Sequence, residues 1–270
     1  MTPDGHSIVF LSAATNLTSN ATNGLSQVYC RDVIGGMTRL VSVTADGFAS
    51  GGEIDLTLPT ISADGRLIAF ESLAADLVAN DLNQASDVFL RELNSATTRL
   101  ISQRQAGLPE STATAHTSLN PPLLNTAGGP MITNALPALL PHVISANGGG
   151  IAFVSDDSNV VPNDSDQMSD IFVRDLTSGS VVRVSQDVGK DISGYRIGTA
   201  AELSANGRYL AVGSYFSILF TPLLSESITR YDLLNGSNQL VSLPSGGIAA
   251  DSGYSFTRTC LGEPSVPPIS

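Results

Sequence analysis

The chain has 270 residues, of which 42% are hydrophobic and 14% charged, with a formal net charge of −12. That balance excludes nucleic acid and anionic membrane as partners, since both need a basic patch and the sole lysine is Lys190. The apolar content suffices for a large core, and the longest apolar stretch, Leu210 to Leu224, is broken by Gly, Ser and Pro, so membrane insertion is not expected.

One unit recurs along the chain, at about 1–43, 61–103, 144–186 and 203–243. Such internal repetition decides architecture before any local propensity does. The first unit begins with Met1 in the place of Ile61, carries Asp4-Gly5, and closes on Thr38 to Val43. A linker from Thr44 to Leu58 holds Asp46-Gly47 and Gly51-Gly52. The second unit is the clearest. Pro59 to Ser62 predicts an inner strand, Asp64-Gly65 a turn, and Arg66 to Ser72 (RLIAFES) a second strand. Asp87 to Arg91 (DVFLR) and Thr97 to Ser102 (TTRLIS) supply the third and fourth. Asp-Gly or Asn-Gly between apolar runs is the strongest short hairpin signal, both residues tolerating the positive φ of a type I′ turn. The same dipeptide returns at Asn147-Gly148 and Asn206-Gly207, and the second hairpin turns hold Gly35-Gly36, Ser178-Gly179 and Asn235-Gly236.

Between units two and three, residues 104–142 form an insertion with Pro109, Pro121, Pro122, Pro130, Pro137 and Pro141. It shows no strand pattern and reads as a surface excursion, its apolar middle lying across a blade face or the top of a ring. Unit three follows the second closely. Unit four departs at Val212-Gly213, and its long loop, Phe216 to Leu224, is apolar.

Each unit thus predicts strand, turn, strand, long loop, strand, tight turn, strand, with continuous apolar runs at the strand centres. Such runs suit sheets covered on both faces. The fold class expected is all-β: a β-propeller of four-stranded antiparallel blades, four in number. The tail Pro267 to Ser270 matches Pro59 to Ser62, so residues 266–270 are expected to close the first blade by pairing with the strand His6 to Ser12, which removes two free edges. The rival reading is a cut through a longer tandem array. The first residues lack the basic-then-apolar pattern of a signal peptide. Cys30 and Cys260 give no metal spacing; they read as two unpaired thiols, with a disulfide between first and last blades as the alternative.

Candidate chemistry lies in the loops between second and third strands. Asp81, Asn83 and Asp87 in unit two, and Asp164, Asp166 and Asp170 in unit three, set oxygen ligands at positions 1, 3 and 7, a spacing that calcium can use. The glycine and the bidentate glutamate of an EF-hand loop are missing, and Asx turns explain the same residues without a metal. Unit one has Ala21, Asn23 and Gln27 there, and unit four ends on Ser227. Nucleophilic catalysis finds no G-x-S-x-G elbow; Gly253 to Thr257 fails at its last position. His6, His116 and His142 have no metal-like spacing, and Glu53, Glu71, Glu110 and Glu202 form no recognisable constellation. Arg31, Arg91 and Arg174 recur at the end of the third strand, followed by Asp32, Glu92 and Asp175, which points to blade-to-blade contacts or capping.

The run Ile61 to Phe70 (ISADGRLIAF), with DVFLR at 87–91 and the closing Arg99 to Ser102 (RLIS), resembles the TolB-like, or PD40 (WD40-like), propeller repeat. The resemblance covers nearly the whole chain outside 104–142. It implies a bacterial periplasmic or extracellular propeller serving as a binding platform, since relatives with a hydrolase carry it on a separate domain. The function expected is a non-catalytic scaffold for a protein or glycan partner, bound through the funnel and loops, with calcium as a stabilising ion. The alternatives are a propeller-type enzyme, lyase or glycoside hydrolase, and a fragment of a larger secreted protein.

Overall fold

The computed structural model describes residues 1–20, 23–52, 58–79, 81, 85–104, 117–118, 143–155, 157, 159–164, 170–184, 194–218 and 224–242. Among them are fifteen strands, no helix, and four antiparallel sheets. Sheet one runs β1 (Ser7–Ser12), β2 (Gln27–Asp32), β3 (Met37–Leu40). Sheet two runs β4 (Thr60–Ile61), β5 (Leu67–Ser72), β6 (Asp87–Glu92), β7 (Thr97–Leu100). Sheet three has β8 (Thr117–Ser118), β9 (Gly150–Ser155), β10 (Asp170–Asp175) and β11 (Val181–Arg183) in that order. Sheet four has β12 (Gly194–Leu203), β13 (Tyr209–Ile218), β14 (Leu224–Asp232) and β15 (Ser237–Leu240).

Period-two alternation makes each central sheet two-faced. In sheet two, Ile68, Phe70 and Phe89 pack with Val28, Cys30 and Val41 of sheet one. The intervening Leu67, Ala69, Val88 and Leu90 pack with Ile151, Phe153 and Phe172 of sheet three. The next layer sets Ala152, Val154, Ile171 and Val173 against Leu203, Leu210, Val212 and Tyr231 of sheet four. The sheets therefore stack face to face in chain order, and this explains the unbroken apolar runs. A cross-strand aromatic pair in each of the first three sheets points away from the following unit: Phe10 with Tyr29, Phe70 with Phe89, Phe153 with Phe172, at centroid separations of 5.8, 5.8 and 5.5 Å. Such pairs add about 0.5–1.5 kcal/mol beyond area burial. In sheet four the corresponding pair is Val212 with Thr229.

The first turn of each unit differs from the expected type I′ geometry. Only its glycine is left-handed, with φ of 71, 74, 70 and 71° at Gly5, Gly65, Gly148 and Gly207. The residue before it is held by its own side chain. Asp64 Oδ1 accepts from the Ser62 hydroxyl (2.6 Å) and the Arg66 N–H (3.1 Å), an Asx turn that keeps Asp64 right-handed.

Two further readings change, and a third falls outside the described residues. The insertion contributes β8, whose Thr117 and Ser118 pair with Ser155 and Val154, while Ile144 makes an isolated bridge to Ile151; the remainder of 104–142 up to Val143 lies, apart from Arg104, outside the described residues. The two ends of the apolar segment of unit four are strand, because β13 reaches Ile218, β14 starts at Leu224, and Ser217 pairs with Leu224, while 219–223 lie outside the described residues. Finally, β1 is the edge of a three-stranded sheet, and the expected closing strand 266–270 lies outside the described residues.

Candidate functional site

The polar positions that recur in every unit are spent on the sheets themselves. Thr2, Ser62, Ser145 and Ser204 each donate a hydroxyl to the Asp or Asn two residues on, at 2.6, 2.6, 2.7 and 2.8 Å. Each also accepts the N–H five residues on, from Ser7, Leu67, Gly150 and Tyr209. At the opposite end of the sheets, Ser42, Ser102 and Ser242 accept the N–H of Val28, Val88 and Ile228 at 3.0, 3.2 and 3.1 Å. Two of these hydroxyls donate on to the first residue of the third strand: Ser42 to Gln27 Oε1 at 2.6 Å and Ser102 to Asp87 Oδ1 at 2.5 Å. Asp87 is therefore a link between third and fourth strands, whatever else it does.

The acidic loops come together in part. Asp81 and Asp87 are buried in unit two, as are Asp164 and Asp170 in unit three; Asn83 and Asp166 lie outside the described residues. In unit three a cation is already supplied by the chain. Arg183 Nη1 donates to Asp164 Oδ1 at 2.7 Å and to Asp170 Oδ2 at 3.1 Å. Asn163, just before, is left-handed at φ 65°. In unit two Leu100 occupies the place of Arg183: Leu100 pairs with Phe89 as Arg183 pairs with Phe172. In unit three a guanidinium thus already bridges the two carboxylates of the loop. Among the described residues no group of three or more His, Cys, Asp and Glu is placed to hold a metal.

Of the candidate catalytic residues, His6, Glu71 and Glu202 are described, and they sit in three different units. His6 sits in an exposed turn with Nδ1 3.1 Å from Asp4 Oδ2. Glu71 and Glu202 are buried in the second and fourth sheets. His116, His142, Glu53, Glu110 and 253–257 lie outside the described residues. Cys30 is a buried thiol in the layer between sheets one and two, its pKa pushed up by burial, and Cys260 lies outside the described residues.

The recurrent arginines divide into two kinds. Arg31 and Arg91 donate to the threonine directly across the next strand, Thr38 at 3.0 Å and Thr98 at 2.9 Å. Arg174 faces Val181 instead and reaches into the neighbouring unit. Its Nε donates to Ile101 O at 2.7 Å, Nη1 to Gly179 O at 2.8 Å, and Nη2 to Gln103 O. Burial, and secondarily the nearby Arg99, lower its pKa to about 10. Beside it opens a cleft of about 260 Å³ between units two and three. Neither Arg183 nor this cleft was visible in the repeat pattern, because both depend on residues that break it.

No family model and no curated protein matches the chain. Solved structures do. Dipeptidyl peptidase 4 of Porphyromonas gingivalis aligns at 16% identity and TM-score 0.50, over 88% of this chain and 31% of its own. The Agrobacterium tumefaciens protein assigned as TolB aligns at 18% identity and TM-score 0.41, over 88% of this chain and 58% of its own. The GH74 xyloglucanase of Xanthomonas campestris gives 13% and 0.40, over 93% and 31%. This chain therefore spans about three-fifths or less of these proteins. At such identities the likeness speaks to fold alone: a propeller-like, all-β scaffold of stacked antiparallel sheets.

Proposed function

We propose that this chain is a non-catalytic, TolB-like propeller scaffold that binds a protein or glycan partner through its funnel and loops, in the periplasm or outside the cell. The supporting observation is the use of the recurring polar positions inside the scaffold: the hydroxyls of Ser62 and its equivalents hold turns, and Ser102 and its equivalents tie third strand to fourth. A catalytic centre needs unlike groups from different elements converging on one reacting atom, and positions repeated in each sheet and consumed by hydrogen bonds do not provide that. The reading includes ring closure, with 266–270 adding a fourth strand beside β1, and calcium in the unit-two loop through Asp81, Asn83 and Asp87.

The test sets binding against turnover. The purified chain is incubated with a glycan array and with nitrophenyl glycosides, peptide anilides and polyuronate. Retention of an oligosaccharide or protein without product supports the scaffold reading. Release of nitrophenol or nitroaniline, or formation of unsaturated uronate, at a rate proportional to protein would overturn it in favour of a propeller-type enzyme.

A further inference from the structure

We propose that the cleft between the second and third sheets binds a small organic carboxylate, its head group on Arg174 and Arg99 and its apolar stem along Val78, Leu100, Ile101 and Leu176. The inference goes beyond the loop and funnel reading above and does not depend on it. In a chain of net charge −12, two of the thirteen basic side chains line this one cleft. Arg174 is only 5% exposed and is fixed by three main-chain carbonyls, a preorganised fork that loses little freedom when it binds. Among the described residues no carboxylate lies within ion-pair distance of Arg174 or Arg99, so the burial of this cation is answered by carbonyl dipoles alone. Burial of a charge without a counter-ion is costly, and an incoming anion offsets that cost.

Arg99 adds a second, exposed guanidinium whose Nη1 lies 3.3 Å from Leu176 O, which holds it against the cleft wall. One carboxylate, Asp175, also lines the cleft, and it is directed to its own turn. Asp175 Oδ1 accepts from the N–H groups of Thr177 and Ser178 and from the Ser178 hydroxyl, and those bonds, led by the Ser178 N–H, hold its carboxyl below the ordinary range. The cleft departs from the repeat at the position that matters. Units one and two tie the equivalent arginine to Thr38 or Thr98, and unit three replaces that threonine with Val181. The guanidinium is thereby released toward the neighbouring unit. A volume of about 260 Å³ admits roughly nine water-sized groups, enough for a carboxylate on a short alkyl chain.

The experiment is isothermal titration of the full chain with hexanoate, hexan-1-ol and inorganic phosphate as probes. Hexanoate is expected to bind saturably at one site and more weakly as salt rises. Arg99→Gln, at an exposed position, is expected to weaken it about tenfold, the loss of one charge-assisted contact. Val181→Thr restores the threonine partner found in the other units and draws the Arg174 guanidinium back to its own sheet, so a fold-preserving loss of affinity is expected there too. Absence of hexanoate binding, equal binding of hexan-1-ol, phosphate binding as tightly as hexanoate, or affinity unchanged in either variant would each overturn the assignment.

Discussion

Arg183 Nη1 lies 2.7 Å from Asp164 Oδ1, and the same nitrogen is 3.1 Å from Asp170 Oδ2, so one guanidinium ties the loop before the third strand to that strand's first residue. The carboxylates are nearly enclosed and the arginine side chain is 12% exposed. Removing the cation leaves two negative charges with little water. Arg183→Leu, which copies Leu100 of unit two, is expected to cost about 3 kcal/mol, or roughly 6–10 °C of melting temperature. A urea melt unchanged by the substitution would show that the pair contributes nothing net.

The same contrast sharpens the calcium expectation. On the reading proposed above, calcium sits in the Asp81 and Asp87 loop, where Leu100 stands in place of an arginine. Binding to the native state alone stabilises it by about 2.7 kcal/mol at a hundredfold excess over Kd. The wild type is expected to melt several degrees higher in millimolar calcium than in chelator, and Asp87→Asn is expected to abolish that difference. Identical melts of the wild type in both buffers would leave these loops as Asx-turned connections.

Ala96 is strained. It occupies the turn position held by Gly36, Gly179 and Gly236, at φ 54° against 65, 75 and 71°. A side chain in the left-handed region costs about 1–2 kcal/mol, part of which glycine returns as chain entropy. Ala96→Gly is expected to stabilise by about 0.5–1 kcal/mol in denaturant unfolding, and Gly179→Ala to destabilise by a similar amount. Nothing lies within 4 Å of a Cβ built on Gly179, so the second effect isolates backbone strain from packing.

Asp64 gives the first turn of unit two a defined pH response. Burial acts to raise its pKa, but the Ser62 hydroxyl, the Arg66 guanidinium and the Arg66 N–H together outweigh it, and the folded value falls below the ordinary 3.8. A depressed carboxylate stabilises fully above its unfolded pKa and loses that contribution as pH falls through the folded one. Asparagine stands at this position in units three and four, as Asn147 and Asn206, so Asp64→Asn preserves the turn. The variant is expected to lose less stability than wild type between about pH 4 and pH 2, the two curves converging in acid. Parallel curves would exclude Asp64 as a contributor.

Closure of the first sheet is tested at the chain end. If 266–270 add a strand beside β1, deletion of the last ten residues exposes that edge, and the melting temperature is expected to fall. An unchanged melt would show that β1 is stable as an edge.

The sequence by itself determined the parts of this protein whose causes are local. A hydroxyl two residues before Asp64 and five before Leu67 sets the first turn of unit two, and its copies at Thr2, Ser145 and Ser204 repeat it because every partner lies within five residues. Apolar runs covered on both faces were legible for the same reason, since an unbroken apolar run along one strand states that both of its faces are buried. The type of the turn was not legible, because Asp64 is held by its own carboxylate where a backbone preference alone would allow the mirror conformation. Only the tertiary structure decided what crosses between units. Arg174 looks like Arg31 and Arg91 in sequence, yet its Nε meets the carbonyl of Ile101, 73 residues earlier, because Val181 offers no hydroxyl across the strand. Thr117 and Ser118 became a strand because β9 presents an open edge, not because of any pattern of their own. Arg183 found Asp164 and Asp170 for a related reason. A guanidinium satisfies whichever oxygens the folded sheets bring within reach, and that is a property of distances the linear chain does not contain.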